Sequence, residues 1–180
     1  MAGESGPMRF ARNLIGVYLR LALGVDFLSA VADRFGLWGQ PGTDHVAWGN
    51  FSNFVAYTAQ VDVFTPTGAA HLIAWVVTLA EILLGVLLIL GLFTRVTATL
   101  SGILLALFAV GMSLGTGAKS AFDVSVFAAS AGAFALAILG PSSWSIDAKR
   151  RKKTSPLSET SFPASTPTQS QGTTDAADRE

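Results

Sequence analysis

Leu14–Gly36 reads LIGVYLRLALGVDFLSAVADRFG, an apolar run long enough to cross a bilayer that nonetheless contains Arg20 and Asp26 and closes on Asp33-Arg34. A helix rises about 1.5 Å per residue, so Leu14 to Ala32 covers roughly 28 Å, close to the hydrocarbon thickness of a membrane. An ionised side chain at the centre of such a helix costs about 2.5–3.5 kcal/mol on insertion scales. The charges must therefore turn inward and meet partners on other helices. A secretory signal peptide fits the segment poorly. Arg9 and Arg12 precede it, and Ala30-Val31-Ala32 has the small-x-small form of a cleavage site. Arg20 and Asp26, however, leave only Leu21–Val25 as uninterrupted apolar sequence, shorter than a signal core. We read it as the first span, residues 11–32, after a short N-terminal lead, 1–10.

Three more apolar runs follow. Residues 71–93 (HLIAWVVTLAEILLGVLLILGLF) carry one ionisable group at their middle, Glu81. Residues 96–114 carry none, and residues 121–139 end at Gly140-Pro141. The last run is rich in small residues, with Ser125, Ala129 and Ala133 four apart and Ala128 and Gly132 four apart, which lets helix backbones approach closely in lipid. Between the first two spans, Trp48, Phe51, Phe54 and Val55 fall at helical spacing in a segment too short and polar to span. That predicts an amphipathic helix in the membrane interface, aromatics toward the acyl chains, with Asn50 as its N-cap. The fold class is therefore all-α, an integral membrane four-helix bundle with an extracytoplasmic interfacial helix between spans one and two. The domain is residues 11–145; residues 146–180 form a basic and then disordered tail, too polar to build a core.

Composition agrees. The chain is 51 % hydrophobic and only 13 % charged, against roughly 25 % charged in soluble domains. Net charge is zero, so nothing calls for nucleic acid, and the basic run 149–153 reads as a topology signal. The absence of cysteine excludes disulfides, thiol redox chemistry and thiolate metal sites within this chain. With four spans, Arg9, Arg12, Arg95 and residues 149–153 share one side, while Arg34 and Lys119 lie on the other. Both termini are then cytoplasmic and the chain sits in the cell (inner) membrane. Trp38, Trp48 and Trp75 fall near the outer interface and Trp144 near the inner one.

Helix rise estimates depth. From the cytoplasmic side Arg20 lies about 14 Å in, Asp26 about 22 Å and Glu81 about 18 Å. This predicts a buried charge group in which Arg20 pairs with Glu81 and Asp26 stands one turn further out. A second polar group gathers at the outer ends: Asp33, Arg34, His71, Lys119 and Asp123, candidate contacts for a ligand or a quinone. Each has a plainer role open to it, such as helix-dipole stabilisation for Asp123 or snorkelling for Arg34. No metal site is expected, since only Asp26 and Glu81 share a depth, and His45 falls in a loop where it cannot help ligate a haem inside the bundle. No nucleophile triad, phosphate loop or dinucleotide fingerprint is present, so catalytic residues are unassigned.

RLALGVDFLSAVADRFGLWG at 20–39, AEILLGVLLILGLFTR at 80–95 and FDVSVFAASAGA at 122–133 together resemble the DoxX family of small four-span bacterial membrane proteins. Glu81 followed by Gly85, Gly91 and Leu92-Phe93-Thr94-Arg95 carries most of the likeness, and Asp26 departs from it. The resemblance implies a four-helix fold and a link to membrane redox chemistry, the family name being tied to the small subunit of a thiosulfate–quinone oxidoreductase. The reading that follows is a membrane subunit or anchor of a quinone-linked redox complex, at most non-catalytic and with no covalent cofactor. It would sit in lipid beside a redox partner protein or as a homo-oligomer. The alternative is a small-molecule transporter or a scaffold without redox work.

Overall fold

In a computed structural model, residues 6–62, 68–142 and 144–148 are described, and among them all regular structure is helical. Three helices are long and apolar enough to cross a membrane: α1 (Gly6–Arg34), α3 (Ala70–Leu90) and α4 (Thr94–Gly115). Between the first two lies α2 (Phe51–Val61), and after the third come α5 (Ala118–Asp123) and α6 (Val126–Leu139). The expected N-terminal lead is shorter than 1–10, because α1 is already helical at Gly6. The expected basic run 149–153 and the polar sequence beyond it lie outside the described residues.

The fourth apolar run is not one helix from 121 to 139. It breaks between α5 and α6, where Ser125 takes a left-handed conformation (φ +55). Asp123 and Ser125 are residues whose side chains compete with the helical backbone, and they flank the break. α6 alone has 14 residues.

α1 packs on α3 and α6, and α4 packs on α6. Small residues set a close crossing: a Cβ on Gly24 of α1 would stand 2.9 Å from the carbonyl oxygen of Gly85 on α3. On α4, Gly102 faces the Phe134 ring and its carbonyl accepts from Ser130 Oγ at 2.9 Å. The buried line of α6 is Val126, Ser130, Ala133 and Leu136, so the small-residue stripe is rotated from the predicted Ser125–Ala129–Ala133 line. Leu23, Phe27, Leu84, Leu88, Ala98, Ala133 and Leu136 fill the core. Outside, Val25, Leu79, Leu83, Leu107 and Ile138 stand exposed, an apolar surface that lipid solvates and water does not.

α2 keeps the expected cap but not the expected outward facing of its aromatics. Asn50 does cap it, accepting from Asn53 N at 2.8 Å. Its aromatic face, however, turns onto the neighbouring helices: Phe54 is buried and Phe51 packs on Trp75 (4.4 Å between ring centroids) and Phe35 (5.8 Å). At its far end Gln60 and Val61 lie against Gly115 and Gly111 of α4. A buried cation beneath the aromatics explains the inward turn.

Candidate functional site

That cation is Arg34, in the last turn of α1. The helix ends there through paired bonds, Leu37 N to Ala32 O (3.0 Å) and Gly36 N to Asp33 O (3.0 Å), the Schellman geometry that requires a left-handed C′ residue. Gly36 supplies it at φ +73, and a Cβ there would also strike Gly49 O. The turn thereby brings Trp48 back beside Asp33 and sets α2 over Arg34. Arg34 is 2 % exposed; its Nη1 forms an ion pair with Glu81 Oε2 of α3 and donates to Thr78 Oγ1 at 2.9 Å. The Phe54 ring lies 3.6 Å above the guanidinium carbon and Trp48 at 5.4 Å, both within cation–π range. The contact with Glu81 is a charge–charge contact without aligned hydrogen-bond geometry, and Arg34 Nε has no hydrogen-bond partner.

Glu81 therefore pairs with Arg34, where the sequence reading had Arg20. The reason is direction as much as depth. Gly24 lies against Gly85, so Arg20 stands level with Ile89 and Glu81 with Leu28, about 12 Å apart along the helix axes. Helical side chains lean toward their own N-terminus. On antiparallel helices this carries Arg20 away from Glu81 and brings Arg34 back toward it. Arg20 instead closes the opposite end of α3, donating to Leu88 O (2.9 Å), Ile89 O (3.0 Å) and Ser142 Oγ (3.2 Å). Gly91 ends α3 there in a left-handed conformation (φ +67), and a Cβ on it would meet the Arg20 guanidinium at 2.5 Å.

Asp26 is not one turn from a buried pair. It is exposed and lines an open groove of about 460 Å3 with Ser29, Asp33, Trp38, His45 and Trp48. Asp33 is buried beside it; Oδ2 accepts from Trp48 N at 2.8 Å, and Oδ1 has no hydrogen-bond partner. Trp38 Nε1 donates to Ser29 O at 3.1 Å, which fixes that indole at the groove wall.

The remaining candidates of the outer group separate. His71 is exposed and meets the edge of Phe51 at 6.1 Å between centroids. Lys119 and Asp123 pair with each other along α5, exposed to solvent. Among the described residues no cluster of His, Asp or Glu could hold a metal ion. Tyr57, half-buried on α2, has its phenol pushed above the ordinary range by burial, an effect eased by a hydrogen bond with Thr116.

Four contributors were missed in the sequence. Trp48 and Phe54 look like membrane anchors there, yet they roof Arg34. His45 was set aside as a loop residue. Asp147 was read as part of the tail, although it accepts from Phe93 N (2.9 Å), Thr94 N (2.9 Å) and Thr94 Oγ1 (3.0 Å) and so caps α4. A hint lay in Ser142, Ser145 and Asp147 directly after Gly140-Pro141, polar residues placed where a helix start needs acceptors.

The family model described as methylamine utilisation protein MauE matches residues 12–132, about two-thirds of the chain. The chain belongs to the MauE family. This overturns the resemblance to DoxX, whose carriers were a glutamate within an apolar span and glycines at helix ends. Lipid imposes such features on many small helical bundles, so they identify a solvent more than a lineage. The match takes in Arg20, Asp26, Asp33, Arg34 and Glu81, and Asp147 lies beyond it. No curated protein and no solved structure matches the chain. The protein is thus a MauE-family membrane protein with a roofed ion pair and an acidic groove at one end.

Proposed function

We propose that this MauE-family chain is a non-catalytic membrane component of methylamine utilisation, serving a redox partner protein from its groove-bearing end. The observation that carries the reading is the contrast between that end and the rest of the surface. Along the helices the exterior is apolar. At the end of α1, a buried Arg34–Glu81 pair holds α2 and the preceding loop in place beside an open groove that Asp26, Asp33 and His45 help to line. A water-borne ligand or partner has a formed surface to meet there.

Orientation supports the same reading. Taking α5 and α6 together as a fourth crossing leaves Arg9, Arg12 and Arg95 at the end away from the groove. The positive-inside rule then puts both termini in the cytoplasm of a cell (inner) membrane and the groove outside. The groove suits a quinone poorly. A quinone's carbonyl oxygens need donors, whereas Asp26 and Asp33 offer acceptors and the donors of Arg34 are turned to Thr78 and Glu81.

Deletion of the gene should abolish growth on methylamine as the nitrogen or carbon source, with re-expression restoring it. The tagged protein should also bring down a cofactor-bearing redox protein from native membranes. Unchanged growth on methylamine would overturn the reading.

A further inference from the structure

Two carboxylates at the groove keep oxygens without a hydrogen-bond partner. Asp33 is 6 % exposed with Oδ1 unpartnered, and it lines the groove. Asp26, two turns earlier on α1, has no hydrogen bond or ion pair among the described residues. It sits about 12 Å below the end of the helix. A carboxylate at such depth in an apolar span is costly unless water or a cation reaches it. Arg34 does not neutralise either group, its charge being matched by Glu81.

The shape of the groove says which cation suits it. Asp26, Asp33 and His45 do not converge closely enough to hold a metal ion. Two indoles, Trp38 and Trp48, form the walls instead. Carboxylate acceptors beside aromatic faces recognise an organic ammonium, whose N–H groups need acceptors and whose alkyl carbons, carrying part of the charge, favour ring faces.

We propose that this groove binds a small alkylammonium ion, with the exposed Asp26 carboxylate accepting from its N–H, the buried, part-unpartnered Asp33 carboxylate beside it supplying the second negative charge, and Trp38 and Trp48 covering its alkyl part. The site stands on the geometry alone; the choice of methylammonium as its ligand rests on the methylamine reading above.

The test is a titration of the full-length protein in lipid nanodiscs with methylammonium chloride, against sodium chloride at equal ionic strength, read by tryptophan fluorescence and calorimetry. Saturable binding of methylammonium, with sodium inert, is expected. Asp26→Asn, which disturbs no bond, and Asp33→Asn, which keeps an acceptor for Trp48 N, should each weaken it about tenfold or more. Thr99→Ala, on the lipid side of α4, should bind as the unaltered chain does. Absence of saturable binding, or equal binding in both Asn variants, overturns the site. The growth assay separates the two claims: normal methylammonium binding with methylamine growth unaffected by deletion would sink the functional reading and leave the site standing.

Discussion

Arg34 on α1 and Glu81 on α3 neutralise each other, both 2 % exposed, and Phe54 lies across the guanidinium at 3.6 Å as its cover. One ion pair thereby fixes three elements at once: the end of α1, the middle of α3 and the position of α2. Removing one partner of a buried pair is worse than removing both, since the survivor keeps its desolvation cost without compensation.

Glu81→Gln should accordingly destabilise the protein by about 3–5 kcal/mol, and Arg34→Met in the same chain should recover part of the loss. Arg20→Gln added to Glu81→Gln should deepen it, because Arg20 serves separate carbonyls about 12 Å away and distant effects add. Thermal unfolding in detergent measures all four chains. Rescue by Arg20→Gln would contradict the pairing.

The helical class, the long apolar runs and the burial of Arg20 and Glu81 were legible in the sequence, because hydrophobic runs and the cost of a charge in lipid are local properties. Pair identity was not. Rise alone puts Arg20 and Glu81 at similar depth, but the Gly24–Gly85 crossing sets the true register, and nothing local marks those glycines as partners. The aromatics of α2 were equally ambiguous, since helical spacing shows that Phe51 and Phe54 share a face without saying whether lipid or Arg34 lies against it. Asp26 shows the converse limit. Its charge was legible, but the groove exists only once residues 36–50 fold back beside α1.

Gly91 faces two demands, a left-handed backbone and an adjacent guanidinium. Gly91→Ala should therefore cost more than Gly42→Ala, where φ is also positive (+86) but nothing lies within 4 Å of the new Cβ. The latter should lose about 1 kcal/mol to backbone strain. The former should lose a further 1.5–3 kcal/mol or about that, as Arg20 is pushed off the Leu88 and Ile89 carbonyls. Equal melting temperatures for the two variants would refute a role for the Arg20 contact.

Asp147 performs for α4 what an N-cap side chain performs for a soluble helix. Phe93 and Thr94 have no capping side chain of their own, so Asp147→Ala should cost about 1–2 kcal/mol. Hydrogen exchange should report it locally, with faster exchange at the Phe93 and Thr94 amides and little change in α1. Unaltered protection there would mean that the cap is dispensable.

Tyr57 offers a titration that reports how firmly α2 is seated. Burial raises its pKa above the ordinary phenol value, about 10, and the Thr116 hydrogen bond pulls it partly back. A raised folded-state pKa means that the stability tied to the neutral phenol is fully present below the unfolded-state value and is lost as pH rises through the folded-state value. The chain has two tyrosines, so ultraviolet titration of the unaltered protein and of Tyr57→Phe isolates this one. The late-ionising component should vanish in Tyr57→Phe. Thr116→Val should move it to still higher pH, because the hydrogen bond that favours the phenolate is gone. A phenol ionising at or below the ordinary value would place Tyr57 in water, and α2 could not then be docked on α4 as described.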